Sequence, residues 1–187
     1  MIQLLDFHKR MLTDHVTAGA CVADFTCGNG HDTLWLSRAV GENGRVFAFD
    51  IQQQALDNTA ALLAREGAPD NVRLIADSHS NCALYIDRPL AAGMFNLGYL
   101  PGADKSVTTR RETTLPADKA AIDMLCVGGM LLVAGYPGHP EGRAEGELLQ
   151  EYFSTLPRKA YTVCCMRMVN SPDSPFFFTI EKLQNGR

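Results

Sequence analysis

The stretch Ala23-Asp24-Phe25-Thr26-Cys27-Gly28-Asn29-Gly30-His31-Asp32-Thr33 follows a short apolar run, residues 20–24, and precedes a run of helical character. Gly28 and Gly30 stand one residue apart at this strand-to-helix junction, where they let the backbone turn tightly and come close to a ligand. The free N–H groups of the new helix's first turn then face that ligand. A second acid, Asp50, closes the next apolar run about 20 residues beyond the glycines, where a ribose-binding acid belongs. The pairing points to a nucleoside-containing cofactor, with the rest of the chain arranged around it.

Outward from this stretch, apolar residues at helical spacing predict an N-terminal helix over 2–18 that Gly19 ends as its C′ residue. Strands are expected at 20–24, 45–50, 71–77, 90–96, 130–136, 159–170 and 176–183. Helices are expected at 31–40, 52–66, 113–126 and 144–155, with a short helix or loop over 80–87. Gly128-Gly129 reads as a turn into the fifth strand, and residues 97–111 and 137–143 as loops. Strands that alternate with helices imply a parallel, doubly wound α/β sheet. The turn at 171–175 is too short for a parallel crossover, so the last two strands must run antiparallel. A Rossmann-like, mostly parallel sheet of seven strands with one reversed strand, and helices on both faces, matches class I S-adenosylmethionine (SAM) methyltransferases. Residues 1–187 read as one domain, with no repeat or linker.

Composition narrows the class. The chain has 46% hydrophobic and 20% charged residues, ordinary for a globular protein. No apolar run approaches the ~18 residues of a membrane span, and no signal-peptide pattern opens the chain, so a cytoplasmic location without membrane is expected. The six cysteines include no CxxC pair and read as reduced, structural residues, with no metal expected. Cys27, inside the glycine loop, is the one in a functional position. A net charge of −4 argues mildly against a nucleic-acid face. Lys105, Arg110, Arg111 and Lys119 form the densest basic stretch. His8 and His15 on the N-terminal helix are expected at the surface.

Five constellations carry chemistry, and all fall at the carboxyl ends of expected strands, where such sheets place ligands. In the glycine loop, Thr33 stands where a dinucleotide fingerprint has Gly or Ala, which favours SAM over a dinucleotide. Asp24 is expected to face the ammonium of the methionine moiety, directly or through water. Thr26, Gly28, Asn29, Gly30, Asp32 and Thr33 complete this part of the cofactor set. Asp50 serves the ribose hydroxyls, with Gln52 assisting, or caps the next helix. Asp77, Ser78 and His79 are candidates for the adenine edge, or form a capping turn. Asn96-Leu97-Gly98-Tyr99 stands where amino methyltransferases often carry Asn/Asp-Pro-Pro-aromatic. There an Asn oxygen and a backbone carbonyl accept from the target amine while the aromatic ring packs on the base. Here Leu97-Gly98 replaces Pro-Pro. His139, after the fifth strand, can touch substrate or act as a base.

Asp24-x-Thr26-x-Gly28-Asn29-Gly30-His31-Asp32-Thr33, Phe49-Asp50-Ile51-Gln52, Asp77-Ser78-His79, Phe95-Asn96-Leu97-Gly98-Tyr99-Leu100-Pro101-Gly102 with Asp104-Lys105, and Gly138-His139-Pro140 together resemble the MnmM/YtqB-like family of putative rRNA methylases. The likeness runs through nearly the whole chain, and 96–102 is its most specific part. Ala103 and Cys27 depart from the family pattern without removing a chemical group. The resemblance implies a homodimeric class I SAM-dependent methyltransferase whose partner is tRNA. Its reaction is N-methylation of the aminomethyl group of 5-aminomethyl(-2-thio)uridine at the wobble position. It implies Asn96, Tyr99 and His139 as catalytic residues, with Leu97, Gly98, Lys105, Arg110 and Arg111 on the RNA side. An rRNA substrate, a small-molecule amine or carboxylate substrate, and a non-catalytic SAM-binding module are the alternatives.

Overall fold

The structure, a computed structural model, describes residues 4–102, 104 and 106–184. Lys105 and Ala103, both singled out above, lie outside the described residues. The elements run α1 (Leu5–Leu12), β1 (Cys21–Asp24), α2 (His31–Val40), β2 (Arg45–Asp50), α3 (Gln53–Arg65) and β3 (Val72–Ala76), then a 3-10 helix (His79–Leu84). They continue with β4 (Leu90–Asn96), α4 (Arg111–Met124), β5 (Leu125–Gly135), α5 (Pro140–Ser154), β6 (Tyr161–Met166) and β7 (Phe176–Lys182).

The strands form one sheet in the order β3-β2-β1-β4-β5-β7-β6. β1 to β5 are parallel, and β7 is antiparallel to both β5 and β6. This is the class I methyltransferase fold. The strand order reverses between β1 and β4, so a crevice opens above their carboxyl ends. The connection from β6 to β7 spans 167–175, longer than the expected turn, because the exposed residues after Met166 leave the ladder and Arg167 turns aside to Gln150.

Alternation along the buried strands feeds two cores. Phe95 and Leu131 point to the face covered by α4 and α5, with Ile122 and Phe153. Met94 and Leu132 point to the opposite face, with Leu12 of α1 and Leu36 and Val40 of α2. Beneath the crevice Phe25 stacks on Phe95, with centroids 4.3 Å apart, and more distantly on Phe49, at 5.8 Å. These rings follow or end β1, β4 and β2, so the site has a stiff apolar floor.

Three expectations need correction. The N-terminal helix stops at Leu12, and Gly19 is not its C′ residue: its N–H donates to Val40 O, pinning the entry to β1 onto the end of α2. Gly128-Gly129 is not a turn before β5 but an irregularity inside it, between the Leu90↔Leu125 and Ala92↔Met130 pairs. Gly128 takes φ +80°, and a Cβ on Gly129 would lie 2.7 Å from Leu90 O, so only glycine lets the strands approach. His8 is buried, not at the surface, because α1 packs its ring against α2.

Asn71 ties the sheet to α2. Its Nδ2 donates to Ser37 O (2.9 Å) and Gly41 O (2.8 Å), and its Oδ1 accepts from Ser37 Oγ (2.6 Å). Asn71→Ala strands the buried Ser37 hydroxyl and removes two further bonds to carbonyls that keep backbone donors, and is expected to lower stability by about 1–2 kcal/mol in urea unfolding. A loss below about 0.5 kcal/mol would contradict this role.

Candidate active site

The carboxyl ends of β1 to β5 surround one cavity of about 1240 Å³. It is lined by Thr26, Gly28, Asn29, Gly30 and Asp32 from the first loop, and by Asp50 and Gln52 from the second. Asp77, Ser78 and His79 follow from the third, Asn96, Leu97, Gly98, Tyr99 and Arg110 from the fourth, and His139 from the fifth. Among the described residues, seven buried side-chain polar atoms lack a hydrogen-bond partner. Five of them belong to His8, His79, Thr108 and His139, all of which line this cavity. Buried polar groups are normally paired, so these atoms give the cavity wall spare capacity to bond a polar ligand or water.

Asp24 and Thr33 do not line the cavity. Asp24 is fully buried, accepts from Thr33 Oγ1 (2.6 Å) and from the Thr26 N–H (3.2 Å), and so joins the end of β1 to the first turn of α2. Burial, aided by the nearby charge of Asp32, pushes its carboxyl up to about 7 against the pull of those two hydrogen bonds. The two glycines have separate tasks. Gly28, at φ +52°, donates its N–H to Asp50 Oδ2 (3.1 Å) and offers its carbonyl to Thr59 Oγ1 (3.1 Å). Gly30, at φ +83°, is the N-cap of α2, and a Cβ there would meet Thr59 Cα at 2.9 Å. Gly30 therefore serves helix packing as well as the turn. Cys27 is buried, and burial pushes its thiol up, which leaves it an inert apolar wall and no nucleophile.

Asp50 ends β2 and accepts the Gln52 N–H at Oδ1 (2.9 Å) and the Gly28 N–H at Oδ2. Each oxygen keeps a lone pair for a vicinal diol, which fits a ribose. Burial raises its carboxyl, opposed by those backbone donors. Gln52 is the N-cap of α3, without a side-chain cap bond. Asp77 organises its own loop: Oδ1 accepts from the Ser78 N–H and Asn81 Nδ2, and Oδ2 from the Tyr85 hydroxyl, the main cause of its lowered pKa. Ser78 caps the 3-10 helix through the Ser80 N–H. His79 packs edge-on against Phe95, and burial holds it down to about 4. It is therefore neutral at ordinary pH, with Nε2 unpartnered at the cavity. Asn29 Oδ1 accepts from Asn58 of α3.

At the end of β4 the Asn96 N–H donates to Thr26 Oγ1 (2.7 Å), and Asn96 Nδ2 donates to Asp32 Oδ2 (2.8 Å). Lys9 of α1 pairs with Asp32 Oδ1 at 2.7 Å, and His8 Nε2 stands 3.7 Å from the same oxygen. Burial alone would raise Asp32, but His8 and Lys9 bring it down to about 2. An ionised carboxylate only accepts, so the Asn96 NH2 group must face it and the carbonyl oxygen faces the other way. Tyr99, partly exposed, lies 6.2 Å from the His139 ring. His139 caps α5, its Nδ1 accepting from the Gly142 N–H (3.1 Å). The neutral ring then carries its proton on Nε2, so His139 offers a donor where a base was expected. Arg110 stands at the rim. Arg111 does not line the cavity: its Nε pairs with Glu141 Oε1 at 3.1 Å. His8, Lys9, Thr108 and Thr109 join the site without a local sequence signal, since tertiary packing alone brings them in.

Residues 46–182 match the family described as "Putative rRNA methylase". The chain belongs to this family. It is 38% identical over 180 residues to the "tRNA (mnm(5)s(2)U34)-methyltransferase, chloroplastic" of Arabidopsis thaliana, covering 91% of this chain but 66% of that protein. The chain thus spans just under two thirds of that relative. A solved structure of a "putative rRNA-methylase" from Clostridium thermocellum superposes with TM-score 0.94 at 41% identity, covering 97% of this chain and 98% of the other. SMU.1697c of Streptococcus mutans, a "putative methyltransferase" in complex with SAH, gives TM-score 0.89 at 34% identity, covering 98% and 99%.

The Asp24 carboxyl makes stability fall as pH rises. The folded state keeps its proton up to about 7, whereas the unfolded chain releases it near 3.9. Between those values folding opposes ionisation, at a cost on the order of a few kcal/mol by the upper end. In urea unfolding at pH 4.5 and 7.5, Asp24→Asn should therefore lose less stability on going to pH 7.5 than the unaltered protein does. Equal losses would show that Asp24 is ionised throughout.

Proposed function

We propose that the protein transfers a methyl group from SAM to the aminomethyl nitrogen of 5-aminomethyl(-2-thio)uridine at the tRNA wobble position, giving 5-methylaminomethyl(-2-thio)uridine. The observation that carries this reading is the Asn96 amide, oriented by Asp32 so that its carbonyl oxygen serves as an acceptor in the cavity wall. The cradle around it fits SAM. Asp50 has acceptor capacity for the ribose, His79 presents an unpartnered ring nitrogen beside the Phe25–Phe95 floor for the adenine edge, and the Gly28–Gly30 backbone faces the methionine end. Gln52, Asp77 and Ser78 line the same half, and Asp24 and Thr33 act on it from behind.

When bound, SAM supplies a methyl group already activated for attack. The protein's contribution is then mainly orientation. Asn96 Oδ1 and the backbone carbonyls of 96–99 accept from the amine and aim its lone pair. An alkylamine is largely protonated at neutral pH and loses one proton to solvent water before attack; the second leaves to water after transfer, and the C–S bonding pair departs with S-adenosylhomocysteine. Asp32, held down to about 2, is a weak base and stays an anchor for Asn96. Tyr99 packs on the uracil, and the His139 Nε2 proton is offered to it. Arg110, with Lys105 nearby in sequence, meets anticodon phosphates, whereas Arg111 first has to leave Glu141. A homodimer gathers basic residues from two chains and offsets the net charge of −4. The open edge of β6, exposed from Cys164 to Met166, is a surface available for it. No described helix is long and apolar enough to cross a membrane, and a cytoplasmic location is part of this proposal.

A small-molecule amine is the second reading, favoured by the acidic net charge and by the Arg111–Glu141 pairing. Incubating the protein with SAM and tRNA from a strain lacking the modification, followed by nucleoside mass spectrometry, separates the two. One methyl gained at aminomethyluridine is expected. No gain, with SAM binding confirmed, overturns the tRNA reading. Asn96→Ala should reduce kcat on the order of 100-fold while the SAM Kd stays within about twofold. Equal losses in both would assign Asn96 to the cofactor instead.

A further inference from the structure

Glu145 lies on α5, buried to 1% exposure and outside the cavity lining. Its Oε2 accepts from Thr109 Oγ1 (2.9 Å) and its Oε1 from Thr114 Oγ1 (2.6 Å). Thr109 in turn is bonded twice to Gly98. The Gly98 N–H donates to Thr109 Oγ1 (2.9 Å), and the Thr109 N–H donates to Gly98 O (2.9 Å). A hydroxyl has one proton to give. Because Glu145 takes it, the Thr109 oxygen is left to receive the Gly98 N–H. Gly98, at φ +134°, lies just past the end of the β4 ladder, where Leu97 N–H still donates to Ala134 O, and its own two backbone bonds both go to Thr109, beside the isolated Tyr99↔Thr108 bridge. Its geometry is therefore imposed from the far side of the loop.

We propose that Glu145, acting through Thr109, is a positioning residue: it sets Gly98 and the turn that follows in the shape that presents the Tyr99 ring beside the Asn96 amide, which β4 and Asp32 already hold. This rests on the methyltransferase reading above. The arrangement replaces the stiffness that Pro-Pro gives this loop elsewhere. Proline fixes its own φ, whereas Leu97-Gly98 does not, and glycine is the most permissive residue of all. The restraint therefore comes from a buried carboxylate about 50 residues further along the chain. Thr114 brings the first turns of α4 into the same restraint, so the segment between β4 and α4 is held at both ends by one side chain.

The test uses the full chain with Thr109→Val, Thr109→Ser and Glu145→Gln. Valine keeps the shape of threonine and removes the hydroxyl, serine restores it, and glutamine replaces one acceptor oxygen with a donor. Two readouts are taken on each: hydrogen exchange of the peptide covering 97–100 in the free protein, and kcat, KM and SAM Kd with aminomethyl-containing tRNA. Thr109→Val and Glu145→Gln are expected to speed exchange over 97–100. They should lower kcat by roughly 10- to 100-fold, with the SAM Kd within about twofold, while Thr109→Ser recovers most of both. Unchanged exchange in Thr109→Val, a kcat within twofold of the unaltered protein, or a serine variant as impaired as the valine one overturns the proposal. If the unaltered protein does not methylate the tRNA, the functional reading fails on that result alone. The exchange arm still decides whether Glu145 and Thr109 order the loop.

Discussion

A carboxyl group without access to water holds the first loop in place. Asp24 joins β1 to α2 through Thr33 and the Thr26 N–H, and this fixes where Thr26, Gly28 and Asp32 face. A polar group buried so deeply is tolerated only when its bonding is satisfied. Here the satisfaction comes from the turn that makes the binding cradle. Thr26, placed by that turn, then receives the Asn96 N–H, so the ends of β1 and β4 meet across the point where the strand order reverses. One local arrangement therefore sets the part of the cavity wall around β1 and anchors the part around β4.

The wall around the end of β4 is held by carboxylates that are themselves occupied as acceptors. Lys9 and His8 keep Asp32 ionised, Asp32 fixes the Asn96 amide, and Glu145 holds Thr109, which holds Gly98. In both chains a carboxylate serves as an acceptor of fixed direction rather than as a proton carrier. This suits a reaction in which the electrophile arrives activated and the remaining requirement is aim. It also accounts for Arg111, whose charge joins the first turns of α4 and α5 through Glu141.

Much of this was legible in the sequence wherever chemistry and chain position coincide. Asp24, Asp50 and Asn96 each end an apolar run, so their place at one sheet edge follows from period and polarity. The reversed last strand follows from the short connection after β6. What could not be read depends on contacts between distant segments. Gly128-Gly129 looks like a turn because glycine pairs usually are turns, and only the approach of Leu90 O makes them a strand irregularity. His8 and Lys9 look like a solvated helix face until α1 is set against α2. Glu145 sits in an unremarkable helix, and nothing near it in sequence announces Thr109. The depth of Asp24, which keeps it out of the cavity lining and bonded to Thr33 and Thr26, is also a product of packing that its place at the end of an apolar run does not announce.

The place of β7 in the sheet has a consequence for how the chain comes together. β7 is the last strand of the described chain, yet it lies between β5 and β6, and its Lys182 Nζ reaches back to Asp123 O and Leu125 O at the end of α4. During synthesis, β6 emerges before the strand it pairs with, and the flank of β5 stays open until β7 has been made. An unpaired apolar edge of this kind can capture another strand. The nascent protein is thus most exposed to mispairing in the interval between the emergence of β6 and that of β7, although β1 to β4, whose carboxyl ends carry most of the cavity lining, have been synthesised by then.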